Sequence, residues 1–285
     1  MEYFEQKQYL AADGLKLVAD VGGPEGAPLV VLLHGGGQTR HSWSNAMHRL
    51  VNSGYHVINF DARGHGDSDW SPDGRYGLDV RGRDLQTVLG ENSRPVALVG
   101  ASMGGMTAFY AVGTGLVPEA RVLIMVDIVM RPAAAGVEKI QNFMEGHVDG
   151  FATLEEAASA VTAYNPQRPR PSDPSGLLKN LRLREDGRLY WHWDPRMLEI
   201  KPTPDTPDWT DQLLEVADRI SLPTMLIRGG LSDIVDDEGV VEMQKLVPQT
   251  EIYDVADAGH MVAGDKNDAF NSGVIDFLKR HLPST

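Results

Sequence analysis

Apolar and polar positions along this chain fall into short runs separated by helix-length stretches. Near the start, two alternating segments, Gln6–Ala11 and Lys16–Asp20, flank Asp13-Gly14, which predicts a β-hairpin. The runs then become continuous: Leu29–Leu33, Val57–Phe60, Val96–Val99, Val122–Val126, Thr224–Ile227 and Glu251–Val255. Uninterrupted Val, Ile and Leu suit strands buried on both faces of a parallel sheet. Between them lie predicted helices over Ser44–Asn52, Leu78–Leu89, Met103–Gly113, Asp236–Leu246 and Asn267–His281. Strand and helix in alternation define an α/β fold with a mostly parallel sheet.

From Arg131 to about Ser221 the alternation stops. This region carries Trp191, Trp193 and Trp209, a helical stretch Leu154–Tyr164, and dense proline turns at Pro166–Pro174 and Pro202–Pro207. An interruption this long predicts a small helical subdomain rather than a loop. The expected organisation is a core built from residues 1–130 and 222–285, split by an inserted unit at 131–221.

Composition narrows the function. The 285 residues can bury a large core, and 42% hydrophobic with 23% charged residues is ordinary for a globular protein. A formal charge of −14 argues against a nucleic-acid partner, because phosphates would go unneutralised. With no cysteine, disulfides, thiolate zinc sites and a thiol nucleophile are all excluded. The first ten residues lack a signal-peptide apolar run, and no stretch approaches the roughly 20 apolar residues needed to span a bilayer. The expectation is a cytoplasmic protein with no membrane partner.

The sharpest chemical signal is Gly100-Ala101-Ser102-Met103-Gly104-Gly105, directly after the run Val96–Val99. It fits G-x-S-x-G, in which a strand turns abruptly into a helix and exposes the serine hydroxyl on the corner. A dinucleotide fingerprint would need glycine at 102, and a P-loop would need a lysine that is absent. His34-Gly35-Gly36-Gly37 closes another strand and matches a loop that presents backbone N–H groups to an oxyanion, so the predicted donors are Gly36 and Met103.

A serine nucleophile needs a histidine to take its proton. Of His147, His192, His260 and His281, the first two lie in the insertion and the last ends the final helix. His260, in Asp257-Ala258-Gly259-His260 after the last strand, is the candidate base. Two carboxylates compete to orient it. Asp233 follows the strand Thr224–Ile227, and Asp127 ends the strand Val122–Val126. Position favours Asp233 and leaves Asp127 open. The segment Asp61–Ser68 is dense in turn residues and reads as an ion pair and tight turn rather than as catalytic. Trp43, Trp191 and Trp193 are expected to line an acyl pocket, with packing as the alternative role for each.

On His34–Gly37, Asp61–Ser68, Gly100–Gly105, Gly229–Asp233 and Gly259–His260, taken in that order, the chain resembles the α/β-hydrolase family. Its likeness is to the branch carrying a lid between the sixth and seventh sheet strands. The resemblance implies an eight-stranded sheet, a lid at 131–221, and no cofactor or metal. Asp61–Ser68 also resembles epoxide hydrolases and haloalkane dehalogenases, but those reactions need a carboxylate nucleophile, since serine would be left as an inert ether. The expected activity is therefore hydrolysis of a small carboxylic ester through an acyl-enzyme formed on Ser102. Lactone or C–C bond hydrolysis and cofactor-free perhydrolysis are alternatives on the same residues, and a non-catalytic small-ligand receptor is the alternative of another class.

Overall fold

A computed structural model describes residues 4–166, 170–199, 207–262 and 267–284. The proline turns predicted over 166–174 and 202–207 therefore fall partly outside the described residues. Strand β1 (Glu5–Leu10) and β2 (Lys16–Gly22) form the expected hairpin. The other sheet strands are β3 (Leu29–Leu33), β4 (His56–Phe60), β5 (Val96–Ala101), β6 (Ala120–Val126), β9 (Thr224–Gly229) and β10 (Thr250–Val255). They join in the order β1-β2-β4-β3-β5-β6-β9-β10. Every pairing from β4 to β10 is parallel, and β1 and β2 are the antiparallel edge.

The continuous apolar runs are explained by what covers the sheet. Leu29, Val31 and Leu33 of β3 face a core shared with helices α2 (Leu78–Leu89) and α3 (Met103–Gly113). Val30 and Leu32 face the opposite core, shared with α1 (Ser44–Asn52) and the C-terminal helix Asn267–His281. Alternate side chains point to opposite faces of a strand, so a strand covered on both sides must be apolar at every position.

The insertion between β6 and β9 contains α4 (Ala134–Glu145), α5 (Leu154–Tyr164), a helical turn at Pro174–Asn180 and a hairpin of β7 (Leu181–Leu183) and β8 (Leu189–Trp191). It has a core of its own, in which Phe151, Ala157, Leu181, Trp191 and Trp193 are buried. The far boundary differs from the sequence expectation. Helix α6 (Trp209–Val216) lies within the span 131–221, yet Leu213 and Val216 are buried in the main core. Val216 packs so closely on α3 that a Cβ at Gly113 would collide with it. The chain has thus rejoined the core by α6, before residue 222. Helix α7 (Asp237–Leu246) follows β9, capped by the Asp236 carboxylate, which accepts from the Gly239 N–H at 2.8 Å.

Candidate active site

Ser102 stands between β5 and α3 with φ 45° and ψ −115°, a backbone conformation that a side chain rarely adopts. The corner is tight because its flanking residues have no room. A Cβ on Gly104 would run into the Leu33 carbonyl, and one on Gly100 into Gly104. Those two glycines let α3 start hard against β3, with its first N–H groups beside the serine. The N–H of Met103, in that first turn, has no acceptor within the helix.

The loop His34–Gly37 faces this corner. Gly35 lies against Ser102, and a Cβ at Gly36 would be 4.0 Å from that of Met103. Two of the three glycine N–H groups are already engaged. That of Gly35 donates to Gln38 Oε1 at 3.2 Å, and that of Gly37 to His65 Nε2 at 3.2 Å. Among the described residues the Gly36 N–H has no acceptor. Gly36 and Met103 therefore each carry a backbone N–H without an acceptor among the described residues, near Ser102.

The carboxylate is where the structure departs from the sequence reading. His260 Nδ1 donates to Asp127 Oδ2 at 2.7 Å. Asp127 is fully buried, with φ 49°, and its other oxygen accepts from the Gly229 N–H at 2.9 Å. Ser232 Oγ donates to the same Oδ2 at 2.5 Å while accepting from the Ile234 N–H. Asp233 instead sits in solvent, where its carboxylate meets Lys139 of α4 at 2.6 Å. The correction has a topological cause. Strand β6 lies between β5 and β9, so the residue ending β6 emerges beside Ser102. Four residues past β9, Asp233 has already turned away toward the insertion. The loop Gly229–Asp233 still belongs to the site, but through the Gly229 amide and the Ser232 hydroxyl, which hold Asp127 in place.

Beside His260 opens a cleft of about 390 Å³, lined by Gln38, Trp43, Ala101 and Val126 and, from the insertion, Lys179 and Asn180. Trp43 lines it and packs on Phe270, with ring centroids 5.6 Å apart. Neither Trp191 nor Trp193 is among the described residues lining the cleft. Trp191 packs edge-on to Phe151 at 5.2 Å inside the insertion, and Trp193 lies against Gly37. The packing role holds for Trp191, whereas Trp193 backs the glycine loop rather than an acyl pocket. Asp61–Ser68 forms buried ion pairs, Asp61 with Arg40 and Arg63 with Asp84. Among the described residues no cluster of metal-ligating side chains occurs, and no helix is long and apolar enough to cross a membrane.

Three buried histidines lie behind the glycine loop, an arrangement no local motif announces. Ring centroids are 4.9 Å apart for His34 and His65, and 5.8 Å for His65 and His192. Each ring has one nitrogen facing a backbone N–H and the other facing a backbone carbonyl. His34 serves Ala62 and Gly35, His65 serves Gly37 and Arg63, and His192 serves Gly66 and Gly37. That pattern requires the neutral imidazole. Burial pushes all three pKa values down, that of His192 to about 4. A proton on His192 would also face His34 and Arg182, with Asp61 as a partial offset.

An unfolded chain takes up these protons near pH 6.5, and the folded one resists until lower pH, so their stabilisation is complete above 6.5 and is lost on acidification. For His192 the interval from 6.5 to about 4 amounts to about 3 kcal/mol. Denaturant midpoints measured from pH 7.5 to 4.5 should fall steadily below pH 6.5. A flat profile there would contradict neutral, buried rings.

The model of the alpha/beta hydrolase family matches residues 30–272, and this chain belongs to that family. Esterase Rv0045c of Mycobacterium tuberculosis is 30% identical over 250 residues, covering 84% of this chain and 79% of the relative. A probable protein phosphatase methylesterase 1 of Caenorhabditis elegans is 26% identical over 291 residues, 98% of this chain and 76% of the relative. Among solved structures, an E-2-(acetamidomethylene)succinate hydrolase superposes with a TM-score of 0.81 at 18% identity, covering 97% of this chain and all of the other.

Proposed function

We propose that this enzyme hydrolyses small carboxylic esters through an acyl-enzyme on Ser102, with His260 as general base and Asp127 as the carboxylate that orients it. Esterase and methylesterase relatives support action on ester bonds. The observation that carries the mechanism is the 2.7 Å bond from His260 Nδ1 to a buried Asp127, beside a serine on a strand-to-helix corner.

With Nδ1 committed to Asp127, the lone pair of His260 is on Nε2, which takes the Ser102 proton as Oγ attacks the ester carbonyl. The positive charge that appears on the imidazole is matched by the buried carboxylate. Negative charge on the carbonyl oxygen is met by the N–H groups of Gly36 and Met103. Nε2 then returns its proton to the departing alcohol. Water attacks the acyl-enzyme with the same proton transfers and releases the acid.

A cleft of about 390 Å³ with Lys179, Asn180 and Gln38 among its lining suits short acyl groups better than long alkyl chains. On p-nitrophenyl esters of graded length, kcat/KM should peak at acetate to butyrate and fall about 10-fold or more by decanoate, because each buried methylene needs apolar surroundings. A fluorophosphonate should label one residue per chain, Ser102 by peptide mass. No turnover of any ester and no adduct would mean that the pocket binds without reacting.

A further inference from the structure

Trp193 and Met144 pack the insertion against Gly37 of the glycine loop, and His192 hydrogen-bonds it there. His192 Nδ1 accepts from the Gly66 N–H at 2.7 Å, and its Nε2–H points at the Gly37 carbonyl at 3.3 Å. Gly37 is held from its other side too, since its N–H donates to His65 Nε2. Both polar groups of this residue, which sits at φ +72°, are thus fixed by imidazoles. The Gly37 N–H belongs to the same planar peptide as the Gly36 carbonyl. The bond to that N–H is made by His65. The His192 bond acts on the next peptide, where the Gln38 N–H beside the Gly37 carbonyl donates to the Gly35 carbonyl at 3.1 Å. The Gly35 carbonyl in turn shares its planar peptide with the free Gly36 N–H.

We propose that His192 is a positioning residue for the oxyanion hole, by which the folded insertion sets the direction of the Gly36 N–H. This rests on the reading of Gly36 as an oxyanion donor. His192 is well placed for the role because its own backbone is anchored. Its N–H donates to the Asn180 carbonyl at 3.1 Å, its carbonyl accepts from Trp70 Nε1 at 3.2 Å, and the neighbouring Asp194 N–H donates to Gly64 at 2.9 Å. The ring is almost fully buried, and its low pKa keeps the donating tautomer neutral throughout the working range of an esterase. A glycine loop with two freely rotating peptides would present its donor in many directions. An imidazole tied to a second loop removes that freedom before substrate arrives.

Two near-isosteric substitutions separate the bonds. In H192N the amide oxygen stands where Nδ1 stood and can still accept from Gly66, but nothing reaches Gly37. In H192Q the amide nitrogen stands near the Nε2 position and can still donate to the Gly37 carbonyl. Exhaustive fluorophosphonate labelling counts competent sites, so that kcat on p-nitrophenyl acetate is expressed per folded site. We expect H192N to lose about 10-fold in kcat with KM within about twofold, a partial version of deleting an oxyanion donor. H192Q should recover kcat to within about threefold of wild type, whatever the order of the two melting temperatures. Equal kcat in both variants, whether normal or reduced, overturns the inference. If instead Ser102→Ala retains wild-type turnover, the reading of the site beneath it is wrong, a separate failure visible in a separate variant.

Discussion

Ester hydrolysis falls by about 10³-fold or more in Ser102→Ala, with no change in the fold. Alanine removes the attacking oxygen but leaves the donors of Gly36 and Met103, so a residual rate from carbonyl polarisation alone can persist. The backbone at 102 is already strained with serine present, and alanine occupies it at no greater cost. The Ser102 N–H still donates to the Val126 carbonyl at 3.1 Å. Circular dichroism and a melting curve should therefore superpose on wild type while p-nitrophenyl acetate turnover disappears. Fluorophosphonate labelling should vanish with it. Turnover above about a tenth of wild type, in material purified free of host esterases, would remove Ser102 from the mechanism.

Asp127→Asn should cost about 10³- to 10⁴-fold in kcat, and Asp233→Asn less than about twofold. The asparagine can turn its amide nitrogen toward His260, which forces the ring into the other tautomer and puts the hydrogen on the nitrogen that should accept from Ser102. It also removes the negative charge that stabilises the imidazolium. Around Asp127 both carboxylate oxygens are used, by Gly229, Ser232 and His260, so the amide would also bring an N–H against a donor. Asp233 loses a solvent-exposed ion pair with Lys139, an interaction worth about 1 kcal/mol at most and remote from the chemistry. Parallel kinetics on the two variants decide the matter, and the reverse ranking would restore Asp233 to the role its sequence position suggests.

The two aspartates show how far the sequence could be read. Strands, helices and the serine corner were legible because each is written locally: apolar runs for strands buried on both faces, glycines where α3 meets β3. The nearness of Gly36 and Met103 to Ser102 is written in the same local motifs. Choosing between Asp127 and Asp233 depended on which strand end lies next to β5, and strand order in a parallel sheet is not a local property. The loop Gly229–Asp233 reaches Asp127 through a backbone amide and a serine hydroxyl, groups too common in any sequence to stand out. The tryptophans of the insertion posed a similar difficulty. An aromatic ring that closes a small core and one that lines a pocket have the same composition, and only packing showed Trp191 against Phe151. Nothing local in the sequence marks His192, because its partners, Gly37 and Gly66, are more than a hundred residues away.

Three described residues other than glycine have positive φ: Ser102, Asp127 and Asp257. Two belong to the candidate active site, and the third lies in the turn leading to His260. Each such conformation costs about 1–3 kcal/mol that surrounding contacts must offset. Glycine at any of these positions would be released from that strain. Among descendants no longer selected for turnover, exchange of Ser102 for glycine would therefore be thermodynamically downhill. Mutational drift in this lineage would erase the Ser102 hydroxyl before the Asp127 carboxylate, whose loss would leave the buried donors of Gly229 and Ser232 unpaired.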